Sequence, residues 1–192
     1  AGFTRALEIG VSTLEMDVAV TADGVVVVNH DPVLNPDITR GPDGQFIEPP
    51  GPAVRTLTLA ELSRYDIGRI RPGSRYATLY SEQVPVDGER IPSLAEVFAR
   101  THELGADAVR FNIEVKVFPD RPGLTAAPEE MAERLAAVLD EAGVTSRAIV
   151  QSFDWRVLTW FQANRPDITL AWLTSAHGGA DTLSPRGGRP SP

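Results

Sequence analysis

From Val109 onward the chain alternates two periodicities, and that alternation leaves few folds open. Val109 to Val117 repeats with period two, placing Phe111, Ile113, Val115 and Val117 on one face and Asn112, Glu114 and Lys116 on the other. A helical stretch follows, with Pro128 suited to its first turn and Gly143 to its stop after about Ala142. Ala148 to Phe153 is again a strand pattern, Asp154 to Asn164 a helix ending before Pro166, and Thr169 to Leu173 a strand. Strand, helix, strand, helix, strand predicts parallel β-α units and hence an α/β domain. The 192 residues, 42% apolar, suffice for one domain with a substantial core.

The N-terminal part reads differently. Residues 2–10 carry Phe3, Ala6, Leu7 and Ile9 in helical spacing, with Gly10 as a stop. Residues 13–20 and 25–29 are two β runs joined at Asp23-Gly24, which predicts a hairpin with a two-residue type I′ turn. In that register Val20 faces Val27, Val18 faces Asn29 and Asp17 faces His30. Glu15 and Asp17 share a strand face. One hairpin therefore collects two carboxylates and an imidazole, a constellation suited to metal and acid–base chemistry. Residues 32–57 are rich in Pro, Gly and Asp, and a loop of that length is functional or disordered. Thr58 predicts a capped helix through Asp66, with Glu61 completing a capping box. Residues 67–92 show no period. Ser93 and Glu96 form a second capping box before an apolar stripe of Leu94, Val97, Phe98 and Leu104.

Net charge is −8, which argues against a nucleic-acid binder but allows an anionic substrate if a bound cation reverses the local field. No cysteine is present, so thiolate metal sites are excluded. No apolar run approaches the ~20 residues of a membrane span. The compartment, periplasmic or secreted against cytoplasmic, stays open.

Glu15-Met16-Asp17-Val18, then Thr21-Ala22-Asp23-Gly24, then Val27-Val28-Asn29-His30-Asp31 resembles the signature of the glycerophosphodiester phosphodiesterase family, within the phospholipase C-like phosphodiesterases. Thr56 to Leu62, Tyr65-Asp66-Ile67-Gly68, Arg90 to Val97, Asn112 to Lys116 and Gln151-Ser152-Phe153 are similar to its later segments. The resemblance covers residues 1–175 and implies a (β/α)8 TIM barrel, of which about five units are expected. The family's opening His-Arg-Gly strand and Glu-Asn-Thr segment, and its closing strands, have no counterpart here. The expectation is therefore a partial domain over 1–175, incomplete at both ends and lacking one catalytic histidine and a phosphate-binding arginine. Residues 176–192, rich in Gly, Pro, Arg and Ser, are expected to be a disordered or non-native tail.

In such a barrel, Glu15, Asp17, Glu114, Lys116 and Gln151 would converge at the mouth formed by the C-terminal strand ends. Three carboxylates there would repel by about 4 kcal/mol per pair at ~4 Å and an effective dielectric of ~20. A divalent cation removes that cost, and all-oxygen ligation suits Ca²⁺ or Mg²⁺. The resemblance implies Glu15, Asp17 and Glu114 as metal ligands and His30 as general acid or base. Lys116 would stabilise phosphoryl charge and bind substrate with Gln151 and Phe153. Lys116 could instead be a surface lysine beside Glu114, and Phe153 a packing residue. His102, His177, Trp155 and Trp160 are assigned no role, and the face of Trp172 is left open. The implied activity is metal-dependent hydrolysis of a small-molecule glycerophosphodiester to glycerol 3-phosphate and an alcohol, in glycerol and lipid metabolism. A phosphatidylinositol phospholipase C-like activity and a non-catalytic fragment are the alternatives.

Overall fold

The computed structural model describes residues 1–118, 121 and 123–175. His177 and the segment 176–192 lie outside the described residues. Helix α1 (Gly2–Ile9) leads into β1 (Thr13–Val20), which turns back into β2 (Val26–Val28). The long connection that follows carries a 3-10 turn (Val54–Thr56) and the short helices α2 (Leu59–Leu62) and α3 (Arg75–Leu79). Then come α4 (Leu94–Glu103), β3 (Arg110–Val115), α5 (Pro128–Glu141), β4 (Ala148–Ser152), α6 (Trp155–Asn164) and β5 (Thr169–Trp172). The sheet order is β2-β1-β3-β4-β5. β1, β3, β4 and β5 run parallel, and β2 is antiparallel to β1. This is the strand–helix wall of a (β/α)8 barrel. Among the described residues it holds four parallel strands, with β2 as the return arm of the predicted hairpin.

Alternation decides the two faces. Leu14, Met16 and Val18 of β1, Phe111, Ile113 and Val115 of β3, and Ala148 and Val150 of β4 are buried against the helices. They meet Leu94, Val97 and Phe98 of α4, Met131, Leu135 and Leu139 of α5, and Val157, Leu158 and Phe161 of α6. Phe98 packs edge-on against Phe111 with ring centroids 4.6 Å apart. The opposite face carries Glu15 and Asp17 of β1, Asn112 and Glu114 of β3, and Gln151 of β4. These side chains stand in register rows, Glu15–Asn112–Ile149 and Asp17–Glu114–Gln151.

Local signals place most element ends. Ser93 Oγ accepts the Glu96 amide at 3.2 Å, and Glu96 accepts the Ser93 amide at 2.7 Å. Pro128 starts α5 and Asp154 caps α6. Other ends differ from expectation. The helix after Thr58 stops at Leu62, because Asp66 is drawn into backbone pairing with Arg40 (2.8 and 3.0 Å). α3 appears in a stretch with no period, capped by Ser74. Leu104 ends α4 and is exposed. Buried Thr101 takes its place in the stripe and donates its hydroxyl hydrogen to the Phe98 carbonyl at 2.7 Å.

The hairpin register also differs by one residue. Val18 pairs with Val28 and Val20 with Val26. The loop has three residues, not two: the Gly24 amide donates to the Thr21 carbonyl at 3.1 Å, and Gly24 has φ +81°. This is a type I turn closed by a left-handed glycine, the usual three-residue hairpin loop. Asp23 does not sit at an idle tip. It accepts the Thr21 hydroxyl at 2.6 Å and the Leu59 amide at 3.0 Å, tying the turn to α2.

Residues 30–92 have a small core of their own, in which Leu34, Val54, Leu62 and Ile91 pack with Ala19 and Val27. Ala19 lies two residues beyond Asp17 on the same strand face, so this module borders the carboxylates. Two features hold it. The Val86 amide donates to the Gly68 carbonyl at 2.8 Å. A Cβ on Gly68 would stand 1.7 Å from the Val86 carbonyl oxygen. Gly68→Ala is expected to cost upwards of about 1 kcal/mol, measured by urea unfolding; an unchanged midpoint would contradict the close approach.

The second feature is an ion-pair group. Arg40 contacts Asp66 and Asp87, and Arg69 grips Asp87 through two bonds of 2.9 and 2.8 Å. The Arg69 hydrogen bond, with the charges of Arg40 and Arg69, holds the Asp87 carboxyl down at about 2. A depressed carboxylate contributes stability above its ordinary value of 3.8 and loses it as pH falls through about 2. The group is therefore expected to stay paired at pH 3. A carboxyl NMR titration giving Asp87 a midpoint near 4 would refute this. Among the described residues no helix is long and apolar enough to cross a membrane.

Candidate active site

The polar face of the sheet brings three carboxylates together. Oxygens of Glu15, Asp17 and Glu114 lie within 4.8 Å of one another. Glu15 and Asp17 come from alternate positions of β1, and Glu114 is the register partner of Asp17 on β3. Glu114 is buried, Asp17 half-buried and Glu15 exposed on the open side. Lys116, two residues after Glu114, returns its ammonium to this group at 3.0 Å from Asp17 Oδ1 and 2.9 Å from Glu114 Oε1. It is the one lysine in a chain otherwise supplied with arginine. A compact ammonium can sit between two carboxylates and keep a third N–H free, whereas a planar guanidinium spreads its donors. Gln151 is buried at the end of β4 and donates its amide to Glu15 Oε1 at 3.1 Å.

The electrostatics follow from this crowding. Partial loss of hydration against its neighbours raises the Glu15 carboxyl first, although the residue is exposed on one side, and the charges of Asp17 and Glu114 raise it further, against Lys116 and the Gln151 hydrogen bond. Burial likewise pushes Glu114 up, opposed by the hydrogen bond and charge of Lys116. Burial disfavours the Lys116 ammonium, but its bonds to Glu114 and Asp17 outweigh that and raise it. With all four groups ionised the site carries −3 + 1 = −2, the charge that one divalent cation neutralises.

The donor set fits such an ion. Lys116 takes one oxygen of Asp17 and one of Glu114, and Gln151 takes one of Glu15. Each carboxylate has a second oxygen, and the Asp17 and Glu114 side chains also lie close enough to contact each other. A separation of at most 4.8 Å is no more than twice a Ca–O distance of about 2.4 Å, so any two of these oxygens can share one Ca²⁺, and all three can once they draw in to about 4.2 Å. Mg²⁺, at about 2.0–2.1 Å, needs them closer, within about 3.6 Å.

One expected site residue, His30, stands otherwise than the predicted hairpin register places it. The shifted register sets Asn29, not His30, across from Asp17: the Asn29 amide donates to the Asp17 carbonyl at 3.0 Å. His30 follows the end of β2, exposed, and the carboxylate group does not include it. Its Nδ1 lies 2.8 Å from Asp31 Oδ1, and the side chain is 70% exposed. Phe153 follows Gln151 and Ser152 at the strand end and is 38% exposed. Trp172 is the register partner of Ser152, so it faces the helices and stacks edge-on against Trp155 at 5.2 Å. The Trp155 indole donates to the Leu173 carbonyl at 3.0 Å. His102 is exposed and pairs with Asp107. Asn112, for which the sequence suggests no role, stands on the carboxylate face that the period-two pattern predicts.

The sequence profile of the Glycerophosphoryl diester phosphodiesterase family matches residues 1–183. A protein of Caldanaerobacter subterraneus subsp. tengcongensis named glycerophosphodiester phosphodiesterase is 33% identical over 173 residues, which are 90% of this chain and 59% of that protein. A solved structure from Silicibacter pomeroyi, provisionally named a glycerophosphoryl diester phosphodiesterase, superposes with a TM-score of 0.83 at 30% identity. It is matched over 90% of this chain and 58% of that one. An Oleispira antarctica phosphodiesterase solved with its product sn-glycerol 3-phosphate shares the fold, with a TM-score of 0.66 at 22% identity over 92% and 60% of the two chains. The chain thus spans about three fifths of the length of these relatives.

Proposed function

This chain belongs to the glycerophosphoryl diester phosphodiesterase family, and we propose that it hydrolyses a glycerophosphodiester to glycerol 3-phosphate and an alcohol with the help of a divalent cation. The observation that carries this reading is the face on which Glu15, Asp17 and Glu114 meet around Lys116. It lies at the C-terminal ends of parallel strands, where barrel enzymes build their sites. Such a reaction would place the protein in glycerol and lipid metabolism.

Glu15, Asp17 and Glu114 would hold the cation, Ca²⁺ or Mg²⁺. When bound, it supplies charge withdrawal from the phosphoryl oxygens. The chain's own residues do the rest. Lys116 spends two N–H groups on Asp17 and Glu114 and directs the third at a phosphoryl oxygen, where negative charge grows during attack. Gln151 holds Glu15 in place and borders the substrate. Phe153 walls the same mouth. His30, paired with Asp31 through Nδ1, exchanges a proton through Nε2. In the net reaction water adds to phosphorus, the bond from phosphorus to the alcohol oxygen breaks, and the departing oxygen takes a proton.

The experiment is an assay of glycerol 3-phosphate release from a panel of glycerophosphodiesters, run beside inositol phosphate release from phosphatidylinositol. Glycerol 3-phosphate is expected from the first panel only. Release of inositol phosphate alone would assign the site to the phospholipase C type, and release of neither would sink the hydrolase reading.

A further inference from the structure

This inference rests on the cation reading above and extends it to a residue on the same face. Asn112 is the register partner of Glu15 across β1 and β3, and it precedes Glu114 by two positions. All three side chains therefore point to one side of the sheet. Among the described residues, Asn112 Oδ1 is buried and accepts no hydrogen bond. A buried acceptor without a donor is costly, and native proteins keep few of them. The row itself does not demand an amide, since the partner of Asn112 on β4 is Ile149.

The chemistry of the neighbours says what the amide oxygen is for. Ca²⁺ and Mg²⁺ accept amide carbonyl oxygens and waters alongside carboxylates. The three carboxylates and Lys116 already balance a divalent charge, so a fourth oxygen should be neutral. Asparagine meets that requirement and aspartate does not. We infer that Asn112 Oδ1 is a fourth protein oxygen of the cation site, received by the ion or by its hydration water. Asn112 is thereby a positioning residue for the ion.

The test measures binding, with no need of turnover. Terbium(III) luminescence with Ca²⁺ and Mg²⁺ competition is recorded for the wild type, Asn112→Leu, Asn112→Ala and Asp17→Asn, together with thermal unfolding with and without Ca²⁺. Asn112→Leu is expected to weaken Ca²⁺ binding about 10–100-fold and to shrink the Ca²⁺-induced rise in Tm. Its Tm without cation should equal or exceed that of the wild type, because the orphaned oxygen is gone. A purely structural asparagine would not move these two readings in opposite directions. Terbium lifetimes in H₂O and D₂O count coordinated waters. One extra water in Asn112→Ala means direct contact; an unchanged count with weakened affinity means contact through water. Both support the inference. Wild-type affinity in the Asn112 variants, with Asp17→Asn impaired, overturns it and leaves the cation reading standing. Absence of binding in the wild type overturns both. If Asn112→Leu does not fold, Asn112→Ala decides by the same readings.

Discussion

Exhaustive chelation is expected to abolish phosphodiester hydrolysis, and added Ca²⁺ or Mg²⁺ to restore it. The loss should be at least ~10³-fold, since a bound cation supplies several kcal/mol of charge stabilisation. The physical ground is the −2 balance of Glu15, Asp17, Glu114 and Lys116 on one sheet face. Asp17→Asn should reproduce much of the loss by weakening the ion more than about tenfold, an effect at least as large as that of an outer-shell change. Its Tm without cation should shift little, because Asp17 stands on the open polar face and not among the buried apolar side chains. The same site predicts a pH effect. Glu15 and Glu114 are raised above 4.5, so cation affinity should begin to fall at a higher pH than for ordinary carboxylates. In the cation-free protein the sign reverses. The folded state binds protons there more readily than the unfolded chain, so stability should rise as pH falls towards 4.5. Full activity after chelation, monitored by glycerol 3-phosphate release, would exclude this chemistry.

Lys116→Met is expected to lower kcat by about 10²–10³-fold, the usual cost of losing one donor to a developing oxyanion. It should at the same time tighten cation binding at pH 8. Without the ammonium, the oxygens of Asp17 and Glu114 now 3.0 and 2.9 Å from Nζ are released and the site carries one more negative charge. Lys116→Arg should not restore the rate, because a guanidinium cannot occupy the gap between two carboxylates and still offer a donor outward. Calorimetry with Ca²⁺ and single-turnover kinetics on the same preparations separate the two effects. Loss of rate with unchanged or weaker cation binding would mean that Lys116 holds the site together and does not face the substrate. Since Lys116 is the one lysine of the chain, amine-selective labelling read at its own peptide before and after cation loading reports on its access to solvent.

Period-two alternation made the faces of β1 and β3 legible from the residues alone. Glu15 and Asp17, and Asn112, Glu114 and Lys116, had to emerge together wherever those strands paired. The two capping boxes at Thr58 and Ser93, Pro128 at the start of α5 and Asp154 before α6 were equally local, because each signal acts within one turn of chain. The hairpin register was not. Asp-Gly serves a two-residue loop and a three-residue loop alike, and the choice fell to Thr21 and Asp23, whose bonds reach Val25 and α2. That single residue of slip put Asn29 opposite Asp17 and sent His30 outward. The length of α2 was likewise set from a distance, by the pairing of Asp66 with Arg40, and the face of Trp172 by the register of β5 on β4. The sequence by itself determined which side chains share a strand face, because alternation is a property of the extended backbone. Only the tertiary structure decided which faces meet: Asp17 with Glu114 and Lys116, and Glu15 with Gln151 from a position 136 residues away. The order and register of parallel strands depend on where the intervening helices and loops return the chain, and no local pattern records that.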